Sequence, residues 1–240
     1  MILLLDIVLV VFSILMLWKG ADWLVEAAAE IAHSLKISDL VIGLTVVAFG
    51  TSAPEFAVTI KAALTGQTDI SIGNVVGSNI FNLGFILGGT AMVRAINITP
   101  KLLYRDGLFL LLVTILIYVL FFGFNGWDIT DAITTAEGSF LFLALIGYII
   151  FLFIKKEPME ETHPESADLK SYLWFFAGLI SIVLGGHLMV EHASSLASAF
   201  GVSDWVIAVT IVAAGTSAPE LATSLTAAFK DKHGMAIGNL

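Results

Sequence analysis

Gly50-Thr51-Ser52-Ala53-Pro54-Glu55 recurs letter for letter as Gly215-Thr216-Ser217-Ala218-Pro219-Glu220. Each copy concentrates oxygen. Thr51 and Ser52 carry hydroxyls, and Glu55 adds a carboxylate one turn after Thr51. The proline removes a helical hydrogen bond, which frees backbone carbonyls near Ala48. Ala213, Thr216, Ser217 and Glu220 offer the same set in the second copy. Hard cations such as Ca²⁺ and Na⁺ take oxygen ligands of this kind. Both copies lie in apolar stretches long enough to cross a bilayer, where a carboxylate is costly unless it meets a cation. Two carboxylates converging there favour a divalent ion, because like charges held close need a counter-charge between them.

A second polar cluster, Gly73-Asn74-Val75-Val76-Gly77-Ser78-Asn79-Ile80-Phe81-Asn82, occupies the third apolar stretch. Ser78 and Asn82 are four apart, share a helix face and can add two oxygens. Gly73 and Gly77 equally suit a close helix contact on another face. The hexamer also has a plainer reading as a helix start, with a serine cap, a proline in the first turn and an acidic residue facing the dipole. That reading covers the break in the chain but not a carboxylate repeated at membrane depth.

The elements that must position these groups follow from an internal duplication. At one offset of 165 positions, Ser38-Asp39-Leu40-Val41-Ile42 aligns with Ser203-Asp204-Trp205-Val206-Ile207, Thr45 with Thr210, and Gly73-Asn74 with Gly238-Asn239. Hydrophobic residues make up 58% of the chain and charged residues 13%, so the bilayer is the solvent. Spans are predicted near 2–32, 39–65, 69–93, 103–123, 138–154, 172–199 and 204–229, with an eighth from 234. The fold class is therefore all-α and integral to a membrane. Residues 1–155 read as a first five-helix repeat, 156–170 as a polar, proline-broken linker, and 171–240 as a second repeat. An odd number of spans separates the hexamers, so the second repeat is expected to be inverted.

Lys36, Arg94, Lys101, Arg105, Lys155, Lys156, Lys170, Lys230 and Lys232 fall in or beside the odd-numbered connections, which the positive-inside rule places in the cytoplasm, with the amino terminus outside. The net charge of −9 sits mostly in loops, notably around Asp128 and from Glu157 to Asp168. The chain has no Cys, so disulfides, thiolate metal sites and cysteine nucleophiles are excluded. No phosphate loop and no Ser, His and acid arrangement is recognisable, and the basic residues are too few and scattered for nucleic acid. No obligate protein partner and no organic cofactor is evident. Asp22, Glu26 and Glu30 read as a water-facing helix edge, His33, His187 and His192 as packing or interfacial residues, and the tryptophans as an interfacial belt.

These two motifs, Gly-Thr-Ser-Ala-Pro-Glu and Gly-Asn-Val-Val-Gly-Ser-Asn-Ile-Phe-Asn, make the chain resemble the calcium/cation antiporter superfamily and, within it, the prokaryotic sodium/calcium exchangers. The resemblance implies ten helices in two inverted halves around a midplane cluster of one Ca²⁺ site and several Na⁺ sites. Glu55 and Glu220 would be the central Ca²⁺ ligands, with Thr51 and Thr216 assisting through backbone oxygen. Ala48, Ser52, Ser78, Asn82, Ala213 and Ser217 would contribute to Na⁺ coordination or line the site. The implied activity is Na⁺/Ca²⁺ antiport by alternating access in a prokaryotic cell membrane, with Ca²⁺ and Na⁺ as transported ions and no enzymatic step. A Ca²⁺/H⁺ antiporter and, further off, a cation channel are the alternatives. The counterparts of Ser78 and Asn82 would fall beyond Leu240, so the second repeat is expected to be incomplete, broken off within its eighth helix. The 240 residues alone are then expected not to catalyse coupled exchange.

Overall fold

A computed structural model describes residues 2–122, 133–155, 167–207, 210–211 and 213–240, and every regular element among them is helical. The 156–170 linker lies largely outside the described residues, as do Trp127 and the acidic loop at Asp128. Helix α1 (Ile2–Leu35) is followed by α2 (Asp39–Thr51), α3 (Ala53–Leu64), α4 (Ile70–Val93), α5 (Leu102–Leu120), α6 (Thr135–Lys155) and α7 (Leu169–Ala199). Then come the shorter α8 (Asp204–Ile207), α9 (Ala213–Thr216), α10 (Ala218–Phe229) and α11 (His233–Gly238). Five described helices are long and apolar enough to cross a membrane, and α2 with α3 forms a sixth span bent by 54°.

The bend falls where the hexamer places it. Pro54 has no N–H for the Gly50 carbonyl, and Ser52 leaves helical geometry at φ −81°, ψ 9° between α2 and α3. Ser217 does the same at φ −93°, ψ 11° between α9 and α10. Just before the first break, Gly43–Val47 winds more widely with i→i+5 bonds, and Asn82–Leu87 does so within α4.

Contacts group Met1–Ile96 with Glu157–Leu240 in one unit and Asn97–Lys156 in another. The first unit is organised on α1 and α7, which are copies of each other. Asp6 Oδ1 lies 2.8 Å from His192 Nδ1, and Ser181 Oγ donates to the Met16 carbonyl at 2.9 Å. Trp23 meets Trp174 with centroids 4.9 Å apart. Partners descend along α7 as they ascend along α1, so the two copies run antiparallel. An antiparallel pair of duplicated membrane helices is what an inverted repeat requires. Where they cross, a Cβ on Gly178 would fall 2.7 Å from the Gly20 carbonyl oxygen and 2.7 Å from the Leu24 amide. Only glycine permits this backbone approach.

Helix ends repeat the duplication as well. Lys36, Gly66, Gly201 and Asp231 all take positive φ (57°, 73°, 79° and 57°). Each is followed by an amide that reaches back five residues: Ile37 to Ala32, Gln67 to Ala62, Val202 to Ala197 and Lys232 to Ala227. This is the left-handed cap that closes a helix C-terminus. Lys36 pairs with Gly201 across the repeat and Gly66 with Asp231, so each pair has one glycine and one charged residue.

The charged caps lie where the odd-numbered connections gather. The Ala167 amide donates to Ser34 Oγ at 2.6 Å, Arg94 pairs with Asp231, and Lys232 Nζ lies 3.1 Å from Asp39. Hydrogen bonding to Arg94 holds the Asp231 carboxyl below the usual carboxylate range. Lys230 bridges Asp22, at 2.5 Å, and Glu26. The acidic edge of α1 is thus an anchor for the α10–α11 connection rather than a purely water-facing strip.

In the second unit α5 and α6 are joined by the Tyr148 hydroxyl, which donates to Asp106, and by Phe109 stacked on Tyr148 with centroids 4.1 Å apart.

Relieving the left-handed strain by Lys36→Gly should stabilise the protein by about 1 kcal/mol, and Gly201→Ala should destabilise it by a similar amount. Thermal unfolding in detergent measures both; a lower midpoint for Lys36→Gly would contradict the cap assignment. Because the chain has no native Cys, single substitutions Leu35→Cys and Phe229→Cys should label from one side of the membrane, and Gln67→Cys and Phe200→Cys from the other.

Candidate cation site

The broken helices bring the two hexamers together in a reciprocal exchange. Ser52 Oγ donates to Glu220 Oε1 at 2.7 Å, and Ser217 Oγ donates to Glu55 Oε1 at 3.0 Å. Each repeat thus supplies the hydroxyl that holds the other repeat's carboxylate. Ser52 and Glu55 lie three positions apart at one helix start, as do Ser217 and Glu220 at the other, so the two exchanges draw the carboxylates into one cluster. Glu55 is 7% exposed and Glu220 0%.

Behind this pair sit two asparagines. Asn74 Nδ2 donates to the Glu55 carbonyl at 3.0 Å and to Thr59 Oγ1 at 2.8 Å. Asn239 Nδ2 donates to the Glu220 carbonyl at 3.3 Å and to Ser224 Oγ at 3.0 Å. Asn239 Oδ1 also accepts from Thr51 Oγ1 of the first repeat at 2.9 Å. Each asparagine therefore braces the turn that carries its own repeat's carboxylate, and Asn239 joins the two repeats.

The bonding is incomplete at one atom of each acid. Oε2 of Glu55 and Oε2 of Glu220 are buried without a hydrogen-bond partner, and so is Oδ1 of Asn82, a residue 8% exposed. Asp39 Oδ2 is also buried without a hydrogen bond, but the Lys232 ammonium stands 3.1 Å from it, and the two remaining buried carboxylates are hydrogen-bonded. Asp6 accepts on one oxygen from Ser195, at 2.8 Å, and meets His192 with the other, while Asp106 holds Arg105 at 2.7 and 2.9 Å as well as Tyr148. A buried anionic oxygen without a donor costs several kcal/mol unless a cation reaches it. Among the described residues no group of three or more His, Cys, Asp or Glu is assembled, so the hexamers form a two-carboxylate cluster whose remaining donors are neutral oxygens.

The other expected residues are placed as follows. Thr51 and Ser217 are fully buried in the cluster. The Ala48 carbonyl keeps a helical bond, accepting the Ser52 amide at 3.0 Å, and the carbonyl opposite the proline is that of Gly50. Ser78 donates to the Val75 carbonyl of its own helix at 3.2 Å. Thr216 lines a cleft of about 500 Å³ with Pro54, Pro219, His187 and Val190. Ala213 opens α9, and its side chain lies outside the described residues. Sequence reasoning gave Asn74 and Asn239 no structural task. The available signal was a matched amide at membrane depth in both repeats, accompanied by matched hydroxyls at Thr59 and Ser224. It also treated His192 as a packing or interfacial residue, where the structure pairs it with Asp6.

A family profile described as sodium/calcium exchanger protein matches residues 5–154 and 170–240. The chain is 36% identical over 241 residues to the putative antiporter CaxA of Alkalimonas amylolytica, covering 95% of this chain and 72% of that protein. It is 30% identical over 274 residues to the sodium/calcium exchanger MaX1 of Methanosarcina acetivorans, covering 98% and 78%. A solved structure of the sodium-calcium exchanger NCX_Mj, soaked with 10 mM Na⁺ and zero Ca²⁺, superposes with a TM-score of 0.85 at 32% identity, covering 99% of this chain and 77% of that one.

Asn239→Ala should cost about 1–3 kcal/mol, because it strands the Thr51 and Ser224 hydroxyls and the Glu220 carbonyl. Asn79→Ala, whose amide bonds only the Val75 carbonyl of its own exposed helix face, should stay within about 0.5 kcal/mol. Thermal midpoints of the two variants in the same detergent make the comparison; equal losses would remove the asparagine from the frame of the site.

Proposed function

Because the chain belongs to the sodium/calcium exchanger protein family, we propose that it is a secondary antiporter exchanging Na⁺ for Ca²⁺ by alternating access, with both ions using the cluster between the hexamers. Glu55 and Glu220 are the shared ligands of Ca²⁺. Thr51 and Thr216 assist Ca²⁺ through backbone oxygen, and Ala48, Ser52, Ser78, Asn82, Ala213 and Ser217 serve Na⁺ or shape the site. The observation that carries this reading is the pair of buried Oε2 atoms with no hydrogen-bond partner; Asn82 Oδ1 is likewise buried and unpartnered.

Charge explains why binding and switching are coupled. Two carboxylates carry −2, which one Ca²⁺ or two Na⁺ neutralise. An empty cluster leaves two close, unpaired anions in a dehydrated place, a state too costly to reorganise between access states. Loaded with either cargo, the cluster is electrically satisfied and the two repeats can move as apolar bodies. The same proposal puts the protein in a prokaryotic cell membrane with the amino terminus outside and the odd-numbered connections in the cytoplasm. The convergence of Lys36, Arg94, Lys230 and Lys232 on those connections supports that orientation.

A Ca²⁺/H⁺ antiporter is the second reading, since protonation would also neutralise the unpartnered Oε2 atoms. Na⁺ is preferred because the hydroxyls of Thr51, Ser52 and Ser217 donate their protons within the cluster and keep oxygen lone pairs that suit Na⁺, and Asn82 Oδ1 accepts from no protein donor.

Glu55→Gln or Glu220→Gln should weaken Ca²⁺ binding roughly a hundredfold or more, the scale of deleting one member of a buried charge pair. Calorimetry showing unchanged affinity in either variant would overturn the ligand assignment. In proteoliposomes prepared with a complete second repeat, ⁴⁵Ca²⁺ uptake should follow an imposed Na⁺ gradient and not a pH gradient; the reverse result would select the proton-coupled reading.

A further inference from the structure

We propose that the junction of α5 and α6 holds the headgroup of an anionic phospholipid, at a site separate from the cation cluster. A pocket of about 470 Å³ there is lined by Pro100, Lys101, Tyr104, Arg105 and Lys155. Three cations converge on it from the start of α5 and the end of α6, and among the described residues its lining contains no carboxylate, in a chain whose net charge is −9. Arg105 is matched by Asp106, but Lys101 and Lys155 have no carboxylate partner among the described residues, and a phosphodiester suits all three by charge and by its acceptor oxygens.

The floor of the pocket is built before a ligand arrives. Arg105 is held by the adjacent Asp106 through two bonds, and Asp106 is itself fixed by the Tyr148 hydroxyl, which α6 presents against the stacked ring of Phe109. The guanidinium therefore has a set position. Lys101 stands one turn before Arg105, capping the start of α5, and Lys155 ends α6 with its ammonium 5.2 Å from the centre of the Phe151 ring. Both lysines are exposed, and among the described residues no carboxylate pairs with either. A positive-inside bias explains cations near helix ends, but it does not explain their convergence on one concave site backed by a fixed guanidinium.

A lipid, rather than free phosphate, follows from the position. The pocket lies where α5 begins and α6 ends, so it opens at headgroup level of the bilayer. Leu103 and Ile154, 56% and 75% exposed, stand beside its lining residues in sequence and offer apolar surface for acyl chains. Tyr104, 74% exposed, suits the same interfacial level. The leaflet follows from the orientation proposed above, but binding itself does not depend on it.

Native mass spectrometry of the detergent-purified protein with added phosphatidylglycerol or phosphatidylcholine tests the site. One phosphatidylglycerol should be retained in preference to phosphatidylcholine. Lys101→Gln and Lys155→Gln should each weaken retention about fivefold, and the double variant about thirtyfold, at the affinity expected of one basic residue near an anionic surface. Thermal midpoints without lipid should match the parent protein, which separates lost binding from lost folding. Equal retention of the two lipids, or unchanged retention in the double variant, would overturn the proposal. Displacement of phosphatidylglycerol by millimolar inorganic phosphate would overturn the choice of a lipid ligand. None of these readouts involves Ca²⁺ or Na⁺ transport, so they stand or fall apart from the exchange reading.

Discussion

Two carboxylates buried where water is scarce, each held by a serine from the other half of the chain, set the terms for the rest of this fold. Neither Ser52 nor Ser217 can reach its partner unless both hexamers leave helical geometry at the same depth. That requirement explains why proline and glycine recur at both breaks. It also explains why the turns need bracing. The prolines leave the carbonyls of Gly50 and Gly215 without their helical donors, and the amides of Asn74 and Asn239 brace the next turn by bonding the carbonyls of Glu55 and Glu220, the very residues whose side chains matter. The site is thus preorganised by main-chain contacts, while one oxygen of each acid stays uncommitted.

The antiparallel pair α1 and α7 is the scaffold that makes such an exchange geometrically available. Helices related by duplication can approach closely only if the crossing point is small in both copies, and Gly20 and Gly178 meet that condition. Polar contacts tie the pair beyond the crossing, at Asp6 with His192 and Ser195 and at Ser181 with Met16. In a lipid solvent no hydrophobic force presses helices together, so close packing and hydrogen bonds carry the association. The duplication is nonetheless not copied in every detail. On the face where Lys36 and Asp231 cap their helices, charge replaces the glycine found at the matching caps. Asp231 uses its position to bind Arg94, which offsets part of the cost of its left-handed backbone.

The parts of the structure that depend on local chemistry were legible in the residues. Apolar length located the first six spans, proline with glycine located the breaks, and the 165-residue offset announced an inverted partner. The hexamers likewise named both carboxylates and the serines that bond them. Contacts between distant segments were not legible. The amide and hydroxyl matched across the repeats at Asn239 and Ser224 hint at a shared task, but they do not say that the Asn239 side-chain carbonyl takes Thr51 from the other repeat. Lys230 bridging Asp22 and Glu26 on α1, or His192 meeting Asp6, likewise depends on which helix faces meet after packing. The Ala48 carbonyl shows a smaller limit of the same kind. A proline frees the carbonyl four residues earlier, at Gly50, and Ala48 keeps its own bond from Ser52.

The contrast among buried acids carries the functional argument further than burial alone could. Asp6 and Asp106 have donors or a histidine on both oxygens, as expected of residues whose task is to hold helices together. Glu55 and Glu220 accept from one serine each and keep one oxygen open. If the second oxygens were also satisfied by protein donors, a cation would have to break existing bonds in order to bind, and the cluster would become a fixed structural link. If the first oxygens were free as well, the carboxylates would have nothing to orient them and would repel apart when unloaded. A single hydroxyl per carboxylate, donated across the repeat interface, lies between these extremes. It positions each acid, leaves room for cargo, and makes the relative placement of the two repeats part of the coordination sphere. In the proposed exchange, any displacement of one repeat against the other must then strain the Ser52–Glu220 and Ser217–Glu55 bonds, so the same contacts that shape the ion site also report to it which way the protein is open.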